Sequence, residues 1–154
     1  MKLPSCSLIV GLLLAGTAAA QDRPRFLNPD SLPPPHGYTQ VVDVPAGART
    51  VYLSGMVPLD AKGNLVGAGD FRRQAEQVFV NLERGLAAAG ATFADVVKLN
   101  FYVVDVSNLT ALREVRDRHV NEAAPPASTL VEVRRLFRDD VLLEVDAVAA
   151  VRGR

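Results

Sequence analysis

Apolar residues recur every three or four positions through Phe71, Ala75, Val78, Leu82, Leu86 and Ala89, with Phe79 widening the row. That spacing puts them on one face of a helix. Asp70 ahead of the row and Gly90 behind it suit the N-cap and the residue just past the C-cap. Gln74, Gln77 and Asn81 form a neighbouring polar row that reads as a solvated flank. A second helix is expected from Ser107, as its cap, to about Val120, turning Leu109, Leu112, Val115 and His119 inward, with Pro125 and Pro126 closing the region.

Elsewhere the pattern is that of strands. β-rich runs occupy Thr39 to Val44, Thr50 to Leu53, Val96 to Val104, Ser128 to Val133 and Val141 to Val151. Only a few turn residues around Pro45 and Gly47 separate the first two, which predicts a hairpin. Asp60 to Asn64 reads as a turn and Gly67 to Gly69 as a loop. The order ββαβαββ is that of a single α+β domain. Two helices cover one face of such a sheet. The last strand carries apolar residues on both sides, Leu143, Val145, Ala147 and Ala149 against Leu142, Val148 and Ala150. Water on an apolar face costs about 25 cal/mol per Å², so self-association is the simplest cover.

The N-terminal region follows different rules. Lys2, the apolar run Leu8 to Ala15 and the exit Ala18-Ala19-Ala20 form the pattern of a secretory signal peptide. The run is shorter than the roughly 20 residues that span a bilayer. Residues 1–20 are therefore expected to be cut after Ala20, sending residues 21–154 to the periplasm or the outside, with no membrane attachment left. Cys6 precedes the apolar run instead of ending it, which argues against lipidation. Residues 21–37, with Pro24, Pro29, Pro33, Pro34 and Pro35, read as an extended arm before the domain at 38–154.

Composition then removes most chemistries. Basic and acidic side chains balance at 17 each, and loss of the leader takes away one lysine, leaving a net charge of −1. That is no electrostatic footprint for nucleic acid. The only cysteine leaves with the leader, excluding thiol catalysis, disulfides and cysteine-bound zinc. His36 and His119 are the only histidines, and neither has a second nitrogen ligand at helical spacing. No HExxH, GxSxG, Walker A or GxGxxG motif occurs, and no cofactor or metal is expected.

Candidate chemistry remains at three places. Glu144 and Asp146 stand two apart on the last strand and share a face. Carboxylates in an apolar strand are paired with arginine, solvated, or poised in a cleft as a water-orienting acid or base. Tyr38 follows Gly37 at the junction of arm and strand, and Ser54-Gly55 ends the second strand. Hydroxyls beside glycine suit either a small-ligand pocket or a satisfied turn. His36 reads as a solvent-facing loop residue, and Asn108-Leu109-Thr110, a glycosylation acceptor by pattern, as helix-capping chemistry.

Taken in order, these segments resemble the RidA/YjgF family, the reactive enamine/imine deaminases once labelled L-PSP endoribonucleases. The matching stretches include His36 to Gln40, Val51 to Pro58, Asp70-Phe71 with Gln74 and Asn81, and Asp95 to Lys98. Phe101 to Asp105, Pro126 to Val133 and Leu143 to Ala149 complete the set. The resemblance covers roughly residues 36–151. It implies a chorismate-mutase-like fold and a homotrimer whose intersubunit clefts bind a small molecule without a cofactor. It further implies that Glu144 handles the attacking water. Tyr38, Ser54, Gly55, Arg113, Ser128 and Leu130 are the corresponding substrate-binding positions.

One position departs. The active deaminases read Pro-Ala-Arg-Ser, the arginine gripping the substrate carboxylate, where this chain reads Pro126-Ala127-Ser128-Thr129. A neutral hydroxyl does not replace a bidentate charge-assisted pair. Arg113, where the family often has asparagine, either reaches the cleft or stays in solvent. Met56, in place of the usual glutamine, is expected to make one wall more apolar. Two functions compete: a hydrolase of small enamines or imines with an altered cleft, and a non-catalytic module binding a small metabolite there. Ribonuclease activity rests on the old label alone, against the charge balance and the lack of a histidine pair.

Overall fold

The computed structural model describes residues 23–152. The expected leader, residues 1–20, lies outside them. Two helices lie on one face of a four-stranded sheet, and two further strands form a separate ribbon. The strands are β1 (Arg25–Leu27), β2 (Val41–Asp43), β3 (Arg49–Met56), β4 (Val96–Val103), β5 (Ala127–Glu132) and β6 (Leu143–Val151), and the helices are α1 (Phe71–Ala88) and α2 (Leu109–Arg116).

The large sheet runs β3-β6-β4-β5, antiparallel except for the parallel pair β4 and β5. The expected hairpin does not form. β2 pairs with β1, a strand inside the proline-rich arm, while β3 pairs with β6. Arg25 to Leu27 falls between Pro24 and Pro29, in the one stretch of the arm whose N–H groups are free to join a ladder.

α1 forms where the periodicity places it. Asp70 Oδ1 accepts from the Arg73 N–H at 3.1 Å. At the other end the N–H of Gly90, at φ 66°, bonds to Ala87 O, and that of Ala91 to Leu86 O, both at 2.9 Å. This Schellman closure needs the left-handed residue that glycine supplies. Phe71, Ala75, Val78, Phe79, Leu82 and Leu86 meet Leu53, Leu99, Phe101, Val103, Val145 and Ala147 of the sheet in one core.

The polar row beside this stripe is not solvated. Gln74 is 0% exposed. It donates to the carbonyls of Gly67 (3.1 Å) and Asp140 (2.8 Å) and accepts from the Leu142 N–H (2.8 Å). Asn81 donates to the carbonyls of Val57 (2.9 Å) and Leu59 (2.8 Å), and accepts from Gln77 (2.9 Å). The row serves backbone groups of the loops that enter and leave the sheet, and so ties those loops to α1.

α2 is shorter than its pattern predicts and is entered through a 3-10 turn, Val106–Asn108. Asp105, not Ser107, makes the cap, accepting from the Ser107 N–H at 2.8 Å. Asn108 accepts no capping bond; its side chain donates to Asp105 O. His119 turns inward as expected and stacks on Phe79 and Phe93, with centroids 4.9 and 5.0 Å away.

Candidate functional site

Register decides which candidates can meet. Leu99, Phe101 and Val103 of β4 face the helices and pair with Ser128, Leu130 and Glu132 of β5. Tyr102 pairs with Glu144, and Asn100 with Asp146, on the open face. The candidates therefore fall into two groups on opposite faces of the sheet.

The first group is Ser54, Gly55 and Glu144. The β3–β6 register slips by one residue between Leu53 and Met56, so Ser54 and Gly55 form a bulge beside the start of β6. Bulges interrupt the ladder and re-aim side chains. The Glu144 carboxylate lies directly over Gly55: a Cβ there would stand 2.7 Å from Glu144 Cδ and closer to Oε1. Only glycine leaves room for it.

The two carboxylates of β6 differ in their partners. Asp146 accepts from Asn100 Nδ2 (2.7 Å) and from the Tyr102 hydroxyl (3.2 Å). The Asp146 charge, that hydrogen bond, burial and the more distant Glu144 together raise the Tyr102 pKa above its ordinary value, keeping the hydroxyl protonated as a donor. Glu144 has no hydrogen-bond or ion-pair partner among the described residues, and no arginine neutralises either acid. Asp146 is committed to the sheet; Glu144 is not.

The second group surrounds a cavity of about 170 Å³ between α2, β5 and the end of the arm. Tyr38, Arg113, Ser128 and Leu130 line it, as does His36, which the sequence alone places in solvent. His36 is exposed and open to the cavity at once. Tyr38 is set there because Thr39 bridges Ala127 in parallel, docking the arm on β5. Arg113 is exposed and is also among the residues that line the cavity. Met56 does not contribute: it runs beneath α1, where its methyl group would stand 3.2 Å from a Cβ on Gly85.

Besides His36 and the apolar Phe101, Leu109 and Leu112, sequence reasoning missed a charged lining residue, Arg116. Its side chain is 12% exposed, and its Nε and Nη2 bond to Asp117 Oδ1 at 2.7 and 2.6 Å. The guanidinium packs on Gly37, where a Cβ would meet Nη2 at 2.6 Å. One arginine among Arg113, Arg116 and Arg118 carries no periodic signal. Glycine at 37 and the absence of arginine at 128 were the available hints. The lining holds two arginines and no carboxylate, a local positive charge in a chain with none to spare. No group of three or more potential metal ligands occurs among the described residues.

Comparison with known proteins agrees with this architecture. The Endoribonuclease L-PSP family model matches residues 29–151. Protein DfrA of Myxococcus xanthus is 38% identical over 126 residues, which is 81% of this chain and 94% of that protein. The 2-iminobutanoate/2-iminopropanoate deaminase of Salmonella typhimurium is 31% identical over 141 residues, covering 90% of this chain and all of the relative. Among solved structures, a Rid-family protein of unknown function from Yersinia pestis superposes with a TM-score of 0.73. It is 34% identical and covers 83% of this chain and 98% of its own. On residues 29–151, nearly the whole of its described structure, the chain belongs to the RidA/YjgF family that the Endoribonuclease L-PSP model describes.

Proposed function

We propose that the protein hydrolyses small reactive enamines and imines in a cleft between the subunits of a homotrimer, with a carboxylate grip altered by Ser128. The observation that carries this is Glu144, an acid without a partner among the described residues, held over the Gly55 bulge. The name of the Salmonella typhimurium relative supplies the substrate class, a 2-imino acid.

In this reading the Glu144 carboxylate takes a proton from water as the water oxygen bonds to the imine carbon. The C=N π pair moves to nitrogen, giving a carbinolamine. With the imine protonated, Glu144 returns its proton to that nitrogen. The C–N bond then breaks and ammonia departs as the hydroxyl O–H pair becomes the carbonyl π bond. The hydroxyl proton passes to the freed Glu144 carboxylate and on to ammonia as ammonium. An enamine first takes a proton on carbon to become the imine. The Gly55 backbone and Ser54 line the water side; Tyr38, Arg113, Ser128 and Leu130 hold the rest of the substrate.

Two copies are required. In one chain Glu144 and the Ser128 cavity open on opposite faces of the sheet, so a complete site joins the open face of one subunit to the α2–β5 cavity of another. That open face is more polar than the sequence suggests, carrying Lys98, Asn100 and Tyr102, but Tyr52 is 79% exposed and Val131 40%. Ribonuclease chemistry finds no pair of histidines, since His36 lines the cavity while His119 packs on Phe79 and Phe93.

The test is ammonia release from 2-iminopropionate generated in situ by an amino-acid oxidase. The leaderless protein should accelerate it, and Glu144→Ala should remove the acceleration while light scattering still reports a trimer. Binding of the product 2-oxo acid with no acceleration of release would establish the competing reading, a metabolite-binding module, which the loss of arginine at 128 favours.

A further inference from the structure

The deaminase reading leaves the substrate carboxylate without its usual partner on β5, and the cavity itself offers a replacement. Arg116 ends α2, one turn beyond Arg113, so both guanidinium groups reach the same side of the helix. Of the two, Arg116 is the enclosed one, and its position is fixed twice: by Asp117 through Nε and Nη2, and by the backbone of Gly37 against its plane. Those bonds use two of five N–H groups. The remaining three have no acceptor among the described residues. Asp117 meets one edge of this guanidinium. Leaving the donors of the other edge unmet this far out of water is costly, and an anion in the cavity would satisfy them. Ser128 lines the same cavity, and no acid does.

We propose that Arg116 is the carboxylate anchor of this protein, reaching from α2 into the space that an arginine on β5 would otherwise fill, with Arg113 as an outer, solvent-screened cation. The ligand class is a short-chain monocarboxylate, a 2-imino acid or its 2-oxo product. The part of the site supplied by one chain, a cavity of about 170 Å³, is smaller than the roughly 300–1,000 Å³ of sites for drug-sized ligands and suits a small acid. Asp117 cancels one of the two arginine charges, so the site keeps a net charge suited to a single carboxylate. Ser128 is then a hydroxyl donor beside the anchor and gives the Arg116 side chain room. The proposal rests on the deaminase reading for its substrate, though not for the anion site.

The experiment titrates pyruvate and its uncharged amide into leaderless protein by calorimetry, alongside kcat and KM for 2-iminopropionate. Wild type should prefer pyruvate. Arg116→Gln should weaken pyruvate binding and raise KM by about 100-fold, the scale of a lost charged hydrogen-bond pair, and leave amide binding within a few-fold. Arg113→Gln should cost less than tenfold. If Arg116→Gln does not assemble, Arg116→Lys keeps the question open to measurement, retaining part of the preference. Adding Ser128→Arg to Arg116→Gln should restore it from the opposite wall.

Unchanged pyruvate affinity in Arg116→Gln, its loss in Arg113→Gln alone, or no preference in wild type overturns the proposal. The two readings fail separately. Wild type that grips pyruvate through Arg116 yet leaves imines untouched keeps this anchor and sinks the hydrolase. Brisk turnover that ignores Arg116→Gln does the reverse.

Discussion

Gly55→Ala isolates the role of Glu144 without touching it. The added methyl carbon would stand 2.7 Å from Glu144 Cδ and 2.9 Å from Cγ. Carbon atoms settle at about 3.5–4.0 Å, so the carboxylate must retreat by roughly 1 Å or swing to another rotamer. Gly55 is not among the glycines at positive φ, so the backbone accepts alanine without strain. Glu144 is only half-buried and can move aside. Stability should therefore change by less than about 1 kcal/mol, the entropy gained by replacing glycine offsetting part of the crowding. Activity should not be spared. A misplacement of about 1 Å can cost on the order of 100-fold in rate, which is about 2.7 kcal/mol of barrier. The loss belongs in kcat, because the carboxylate cavity lies on the other face of the sheet. Imine hydrolysis monitored as ammonia release, with thermal unfolding in parallel, gives both numbers. A folded Gly55→Ala protein with wild-type kcat would refute the assignment of the water-activating role to Glu144.

Three further outcomes are expected. Gln74→Leu should destabilise by about 2–4 kcal/mol in denaturant titration, since it removes the side-chain partner of the Asp140 carbonyl and of the Leu142 N–H and one of the two donors to Gly67 O; a change below 1 kcal/mol would mean that water replaces the amide. Burial, with Arg118 adding to it and Glu83 opposing, holds the His119 pKa below its ordinary 6.5. The unfolded chain then binds the proton more readily, so stability is complete above that value and declines as pH falls from there towards the lowered folded one; His119→Phe should flatten that decline, and an unaltered pH profile would exclude His119 as its source. Protein recovered from its native host should have the intact mass of a chain beginning at Gln21, whereas a full-length cytoplasmic product would refute the leader.

What could be read from the sequence was what local interactions decide. α1 is determined by its own period and by caps within a turn of its ends, Asp70 and Gly90, so its limits follow from neighbouring residues. The strands from Thr39 onward were equally legible, but β1 inside the proline-rich arm was not, and neither were the partners. β2 looks like half of a hairpin because β3 follows so closely, yet its ladder is with Arg25–Leu27 across the whole arm. The polar row of α1 misled for the same reason: the carbonyls that Gln74 satisfies come from Gly67 and from Asp140, and the second is distant in sequence. At the site, ordered motifs located Glu144, Ser54 and Tyr38, but not the face each would occupy. Arg116 gave no signal at all, because its meaning depends on Gly37 and Ser128 arriving beside it from two other segments.

The position of β6 has a consequence for how the chain acquires its structure. β6, the last of the described strands in sequence order, is an interior strand of the sheet, flanked by β3 and β4, which make no ladder with each other. Arg49 pairs with Val151, nearly the full length of the domain away. Before Leu143–Val151 emerges, β3 has no partner and α1 has only part of a surface to pack on. The sheet cannot close until this strand is available, and the loops it closes are long. Removing Leu143–Val151 should accordingly be far more damaging than removing Arg25–Leu27, since it opens the middle of the sheet instead of trimming a separate ribbon.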